Sequence, residues 1–214
     1  NNKEKLMADI NYGVVTSAEC DPSYRATAFE LLATFASEVQ SQAGAEIVRY
    51  GYFGTGSDAG ALVFTQLYQD LNGFDKAQGV YSGSSAYKSL IESGKVSIIL
   101  RNIVKMVPID FQAKEQADLK YMVFTKAEIS PENKNAAIEQ LSQLSNVFSE
   151  GGALTLRFGQ LITGSNVGQY LLAVTYPSMD AIERTYEELY DSSVYQNMVK
   201  TVAVNRREIV RLMS

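Results

Sequence analysis

The chain has 214 residues, 46% of them hydrophobic and 20% charged, and its 19 Lys plus Arg against 24 Asp plus Glu leave a formal net charge of -5. Apolar material is ample for a globular core, while the acidic balance and the lack of a Lys/Arg cluster argue against a nucleic-acid partner. The sequence contains no histidine, which excludes imidazole-ligated haem or zinc, a Ser-His-Asp triad and an imidazole base; the single Cys20 excludes an intrachain disulfide and a thiolate metal cluster.

Residues 1–8, opening Asn1-Asn2-Lys3-Glu4-Lys5, read as a tail or tag remnant with no apolar secretory core behind it. No later stretch approaches the about 18 consecutive apolar residues of a membrane span, so a cytoplasmic protein with no membrane partner is expected. The first strand starts at Ile10, with Ile10, Tyr12, Val14 and Thr16 sharing one side. At Cys20-Asp21-Pro22 a helix should begin, Asp21 capping it and Pro22 taking its first position. Cys20 lies where a helix N-terminus favours a thiolate, but its counterpart in the second half of the chain is Ile129, and a loop residue without a role is the preferred reading.

The helix should run to Ala43-Gly44, with Phe29, Leu32, Phe35, Ala36 and Val39 at three-to-four spacing. Strands over Glu46–Phe53 and Ala59–Tyr68 flank Thr55-Gly56-Ser57, read as a hairpin whose glycines supply positive φ rather than as a phosphate cradle. Helical sequence at 71–80 and 84–93 and a strand over 96–107 complete a β-α-β-β-α-β unit. No Gly-x-x-x-x-Gly-Lys-Ser/Thr loop and no Gly-x-Gly-x-x-Gly opening a helix is present, which leaves nucleotide binding by those routes unsupported.

The same series then recurs. Arg49, Gly51, Thr55-Gly56-Ser57 and Gly60 return as Arg157, Gly159, Thr163-Gly164-Ser165 and Gly168, all at an offset of 108 residues. Asp21-Pro22 matches Ser130-Pro131, Ser84-Ser85-Ala86-Tyr87 matches Ser192-Ser193-Val194-Tyr195, and Asn102-Ile103-Val104-Lys105-Met106 matches Glu208-Ile209-Val210-Arg211-Leu212. Repetition on this scale marks a duplicated structural unit. The second copy should place a strand from Asp118, one helix from Ser130-Pro131 to Gly151-Gly152, a hairpin over 153–162 and 167–176, helices over 179–190 and 192–202, and a strand over 205–213. Repeat 1 is assigned to 9–107, a proline-punctuated linker to 108–117 and repeat 2 to 118–214.

The expected fold class is α+β: two tandem ferredoxin-like β-α-β-β-α-β repeats packing their antiparallel sheets into an intrachain α+β barrel. This pattern, with its Ser-Ser-x-Tyr signature, resembles the dimeric α+β barrel superfamily, including the antibiotic-biosynthesis-monooxygenase-like and stress-responsive barrel groups. The resemblance implies that the repeats build within one chain the barrel that single-domain relatives build by dimerising, with ligands between sheet and helices or inside the barrel. It also implies a proximal His in haem members, and Asn, Trp and His in cofactor-free oxygenases and haem-degrading members; this chain has neither His nor Trp.

Arg49 and Arg157 are the first ligand-binding candidates, because each lies in an apolar strand and a guanidinium fork binds a carboxylate or enolate bidentately. The alternative is an Arg paired with a neighbouring carboxylate at a sheet edge or at the repeat interface. Period two puts each on the side of Gly51 or Gly159, where the missing side chain would leave room. The repeat-matched tyrosines Tyr12, Tyr121, Tyr87 and Tyr195 are the second set, able to donate to a developing oxyanion or to wall an aromatic ligand, or else simply core residues. Ser84, Ser85, Ser192 and Ser193 read as helix caps. Glu183, Glu187, Glu188 and Asp191 read as a solvated helix face, with no metal expected.

The function expected is that of a small-molecule-binding barrel, taking a small anionic or aromatic ligand without a cofactor and extending to cofactor-free monooxygenase-like chemistry on an enolisable substrate. The alternative is a non-catalytic binding or assembly module whose barrel is filled by side chains. Duplication removes the need for a homodimer without forbidding one.

Overall fold

The computed structural model describes residues 10–115 and 117–213; the expected tail at 1–8 lies outside them. The first half runs β1 (Tyr12–Cys20), a 3-10 turn (Pro22–Tyr24), α1 (Arg25–Ala43), β2 (Ile47–Phe53), β3 (Leu62–Tyr68), α2 (Leu71–Gly83), α3 (Ser85–Glu92) and β4 (Val96–Val107). The second runs β5 (Tyr121–Ile129), a 3-10 turn (Pro131–Asn133), α4 (Lys134–Gln143), α5 (Ser145–Gly151), β6 (Thr155–Leu161), β7 (Tyr170–Tyr176), α6 (Met179–Asp191), α7 (Ser193–Met198) and β8 (Val202–Leu212). The two β-α-β-β-α-β halves and the α+β class are as the sequence implies.

The eight strands close into an antiparallel barrel in the order β1-β3-β2-β8-β5-β7-β6-β4. Within each half neighbouring strands are joined by ladders of six to nine residue pairs. The halves meet along two short seams, β2 with β8 over three residue pairs and β4 with β6 over four. Closure leaves the sheet no free edge.

Each sheet is therefore covered on both faces. Outward, α1 packs Leu32, Phe35 and Val39 onto Val14, Tyr50 and Phe64, with Val80 of α2 and Leu90 of α3 joining them, and α4 to α7 pack Leu141, Phe148, Leu189 and Tyr195 onto Val123, Phe158 and Val174. Inward, Phe53, Val63, Met122, Phe124, Val210 and Leu212 fill the middle of the barrel. Packing on both faces is why β3 is buried at every position instead of alternating.

Several local expectations are corrected. Both prolines open a single 3-10 turn, and the helices start after it, at Arg25 and Lys134. Asp21 caps the first turn, accepting from the Ser23 N–H at 2.9 Å, whereas Ser130 caps nothing and its hydroxyl accepts from Asn133 instead. The helix expected as one piece to Gly151 breaks at Leu144, and β8 begins three residues early, at Val202.

The repeated Thr-Gly-Ser turn has a structural explanation. Thr55 Oγ1 accepts from the Ile209 N–H and Thr163 Oγ1 from the Ile103 N–H, each at 2.8 Å, so each hairpin grips the last strand of the other half. Gly56 and Gly164 sit at φ of +85° and +88°, and a Cβ on either would strike the Glu208 or Asn102 side chain.

Candidate functional site

Arg49 and Arg157 face into the barrel, one from each half, beside Thr65, Met122, Thr155 and Thr175. Between them stands Glu115, from the segment joining the halves: its Oε2 accepts from Arg49 and its Oε1 from Arg157. All three side chains are about six-sevenths buried. The room expected beside Gly51 and Gly159 is taken by the opposite half, since a Cβ at Gly51 would lie 2.0 Å from the Arg211 carbonyl oxygen and one at Gly159 2.7 Å from that of Lys105. Burial lowers the Arg49 guanidinium pKa; Glu115 opposes that shift and the neighbouring Arg157 adds to it.

The tyrosines lie on the other side of the sheet, so the arginines and tyrosines picked out from the sequence do not meet. Tyr12 and Tyr121 begin β1 and β5, away from the outer cavities, with the Arg211 guanidinium 4.8 Å from the Tyr121 ring centre. Tyr87 and Tyr195 lie between sheet and helices, brought there by their caps: Ser84 and Ser192 accept from the Tyr87 and Tyr195 N–H groups at 3.0 and 3.5 Å, opening α3 and α7 with the tyrosine in the first turn.

There they meet arginines that the sequence reading passed over. Arg101 donates from Nε to Thr16 Oγ1 at 3.2 Å and from Nη2 to the Tyr87 hydroxyl at 3.0 Å, with its guanidinium 4.2 Å from the Tyr81 ring centre. Arg207 repeats this, donating to Thr125 at 3.2 Å and Tyr195 at 3.1 Å and lying 4.7 Å from the Tyr186 ring centre. The cation–π contact and the two directed hydrogen bonds fix each guanidinium. Burial raises the Tyr81 and Tyr186 phenols, and the adjacent guanidinium pulls each part of the way back.

Each constellation lines a cavity. The first, about 30 Å³, lies against Leu32, Phe35, Phe64 and Leu90; the second, about 50 Å³, against Phe148, Phe158, Tyr170 and Met198. The half-exposed Ile98 and Val204 stand at matching positions on the two linings.

Elsewhere, burial raises the Cys20 thiol pKa more than Arg25 lowers it, so the helix start does not activate it. Glu183, Glu187, Glu188 and Asp191 lie exposed on α6. Among the described residues no group of three or more His, Cys, Asp or Glu is placed to hold a metal, and no helix is long and apolar enough to cross a membrane.

The model of the family described as a domain of unknown function, DUF6854, matches residues 10–106 and 119–212. The chain belongs to this family. No curated protein matches it.

Among solved structures, a provisionally designated monooxygenase from Fusobacterium nucleatum superposes with a TM-score of 0.70 at 13% identity, over 96% of this chain and 93% of that one. Chlorite dismutase from Candidatus Nitrospira defluvii, in complex with imidazole, gives 0.64 at 12% over 100% and 95%. A heme-binding protein from Thermus thermophilus gives 0.60 at 12% over 96% and 92%. At these identities the likeness is one of fold.

This chain's residues do not fit haem. It has no histidine to ligate the iron, and edge-to-face tyrosines leave outer cavities of about 30 and 50 Å³. Pockets that enclose large ligands run to about 300–1,000 Å³.

Proposed function

We propose that this DUF6854 protein is a small-molecule-binding barrel whose ligand sites are the two outer cavities, each taking a compact molecule of no more than about five non-hydrogen atoms that carries an anionic or enolisable oxygen. The observation that carries the reading is the Thr, Arg, Tyr, Tyr set, built with the same bonds in both halves. A tyrosine hydroxyl that accepts from a guanidinium has its own proton free to offer, and that polarised O–H is a stronger donor toward a ligand oxygen. The guanidinium behind it stabilises the negative charge of an enolate or carboxylate. Aromatic walls such as Phe158 and Tyr170, stacked 5.2 Å apart, suit a planar body.

Arg49 and Arg157 drop out of this site because their carboxylate is the chain's own Glu115. The fold neighbours, a provisionally designated monooxygenase among them, agree with small-molecule chemistry without fixing a reaction. The alternative, a binding or assembly module with no chemistry, is favoured by one observation: apolar side chains fill the middle of the barrel.

The test is equilibrium binding of formate and acetate to the full chain, followed by tyrosine fluorescence, which no tryptophan obscures. Saturable binding that weakens about tenfold or more in both Arg101→Met and Arg207→Met supports the reading, a charge-assisted hydrogen bond being worth about 1.5–3 kcal/mol. Binding unchanged in both variants, or none in the wild type, rejects it.

A further inference from the structure

Strand residues adjacent to the Arg/Tyr constellations point the other way, into the barrel, and there the two halves differ. Thr16 matches Thr125, but the next residues are Ser17 and Lys126; Arg101 matches Arg207, but its neighbours Leu100 and Asn102 face Arg206 and Glu208 as their counterparts. Asp58 and Asn166 are likewise paired by the repeat. All eight of these inward positions line one chamber of about 80 Å³, walled also by Phe53, Phe124, Leu161 and Leu171.

The polar groups of this chamber are incompletely satisfied. Arg206 Nη2 bridges Asp58 and Glu208, the latter at 2.7 Å and only 4% exposed. Glu208 Oε1 is also 3.5 Å from the Asp58 N–H. Arg206 Nε, however, is buried without a partner among the described residues, as is Ser17 Oγ. Asn102 is 6% exposed, and its side-chain amide makes no hydrogen bond to a described residue. Lys126 forms no ion pair with any described residue. Buried polar groups left unpaired are costly, and a protein that gathers several in one hollow presents them to something that enters it.

Their chemistry indicates what enters. The carboxylates of Asp58 and Glu208 are already held by Arg206, so the unused groups are mainly donors: the Lys126 ammonium, the Arg206 Nε–H, the Ser17 hydroxyl and the Asn102 amide. We propose that this chamber is a second binding site, distinct from the outer cavities, for a short-chain carboxylate whose oxygens meet these donors and whose alkyl chain lies on Phe53, Phe124, Leu161 and Leu171. At about 10–15 Å³ per water, the volume admits about five to eight non-hydrogen atoms. The mismatch between halves has the same origin: a one-headed ligand on the barrel's pseudo-twofold axis cannot meet two identical sets of groups.

Butyrate is the probe. The 15N-labelled full chain is titrated with sodium butyrate, with sodium chloride at matched ionic strength as control, and the amide signals of Ser17, Asn102 and Lys126 are followed. Saturable shifts at these residues are expected in butyrate and not in chloride, while those of Thr125 and Tyr195 hold still. Lys126→Met should weaken the midpoint about tenfold or more, and the milder Ser17→Ala should weaken it in the same direction while keeping the wild-type melting temperature. Linear shifts, shifts equal in chloride, or a wild-type midpoint in both variants would mean that water alone fills the chamber, and would overturn the proposal.

Discussion

At the residue scale the centre of the molecule is Glu115, one carboxylate shared by two guanidiniums inside a barrel. Removing its charge leaves two cations buried side by side with nothing between them. Removing one arginine leaves a matched pair. Breaking a buried pair by taking away one member costs about 3–5 kcal/mol, and the residual exposure of these side chains, 13–16%, discounts this to about 2–4 kcal/mol for Glu115→Gln. Arg49→Met and Arg157→Met should each cost less than half as much. Urea unfolding of the three variants measures this order; a Glu115→Gln midpoint equal to that of the wild type would show that the triad contributes nothing to stability. The arginines were legible in the sequence because they recur in apolar strands. Their partner was not, because Glu115 lies in a polar connector with no counterpart in a repeat.

At the element scale the barrel is held shut by two short seams, and the repeated glycines and threonines are the residues that make them. At Gly51 the backbone of β8 passes so close that a methyl group would meet the Arg211 carbonyl oxygen at 2.0 Å. No side-chain motion relieves a clash with backbone, so β2 and β8 would have to part. Gly51→Ala should therefore destabilise by more than about 4 kcal/mol, the range reserved for a broken structural feature, and expose the β2 and β8 amides to hydrogen exchange. Thr55→Val keeps the shape but strands the Ile209 N–H, for a loss of about 1 kcal/mol; a loss as large as that of Gly51→Ala would contradict this account of the turn. The element order followed from hydrophobic period and turn residues, which are local. The break at Leu144 in the second helix and the early start of β8 depend on packing between elements. Tyr87 and Tyr195 were found through their caps, but Arg101 and Arg207 were missed although they continue the matched 102–106 and 208–212 segments by one residue. Between them and the start of each strand the register slips, opposite Ser17/Ala18 and Lys126/Ala127, so counting by twos assigns the wrong face.

At the scale of the whole molecule, each half is a four-stranded sheet whose inner face and two edges are completed by the other half. Residues 10–117 alone would expose Phe53 and Val63 from the barrel interior and leave β2 and β4 unpaired at the edges. Exposed edges and an apolar face drive association. Because β2 meets β8 much as β6 meets β4, two copies of the first half can pair β2 with β4 twice and close an eight-stranded ring. In that ring two Arg49 side chains face one another, and their stability turns on where the fragment ends. A fragment ending at 112 brings no carboxylate, and its two guanidiniums repel; one ending at 117 brings two copies of Glu115. Sedimentation should find the 10–117 fragment dimeric, and the 10–112 fragment dimeric at concentrations at least about tenfold higher, since one unrelieved buried charge contact exceeds the 1.4 kcal/mol that a factor of ten requires. Acetate should narrow the gap by standing in for the missing carboxylate. Equal dimer affinities for the two fragments would place the cohesion of the barrel in its apolar layer and seams alone, and a monomeric, folded 10–117 fragment would show that the seams are not needed to complete either sheet.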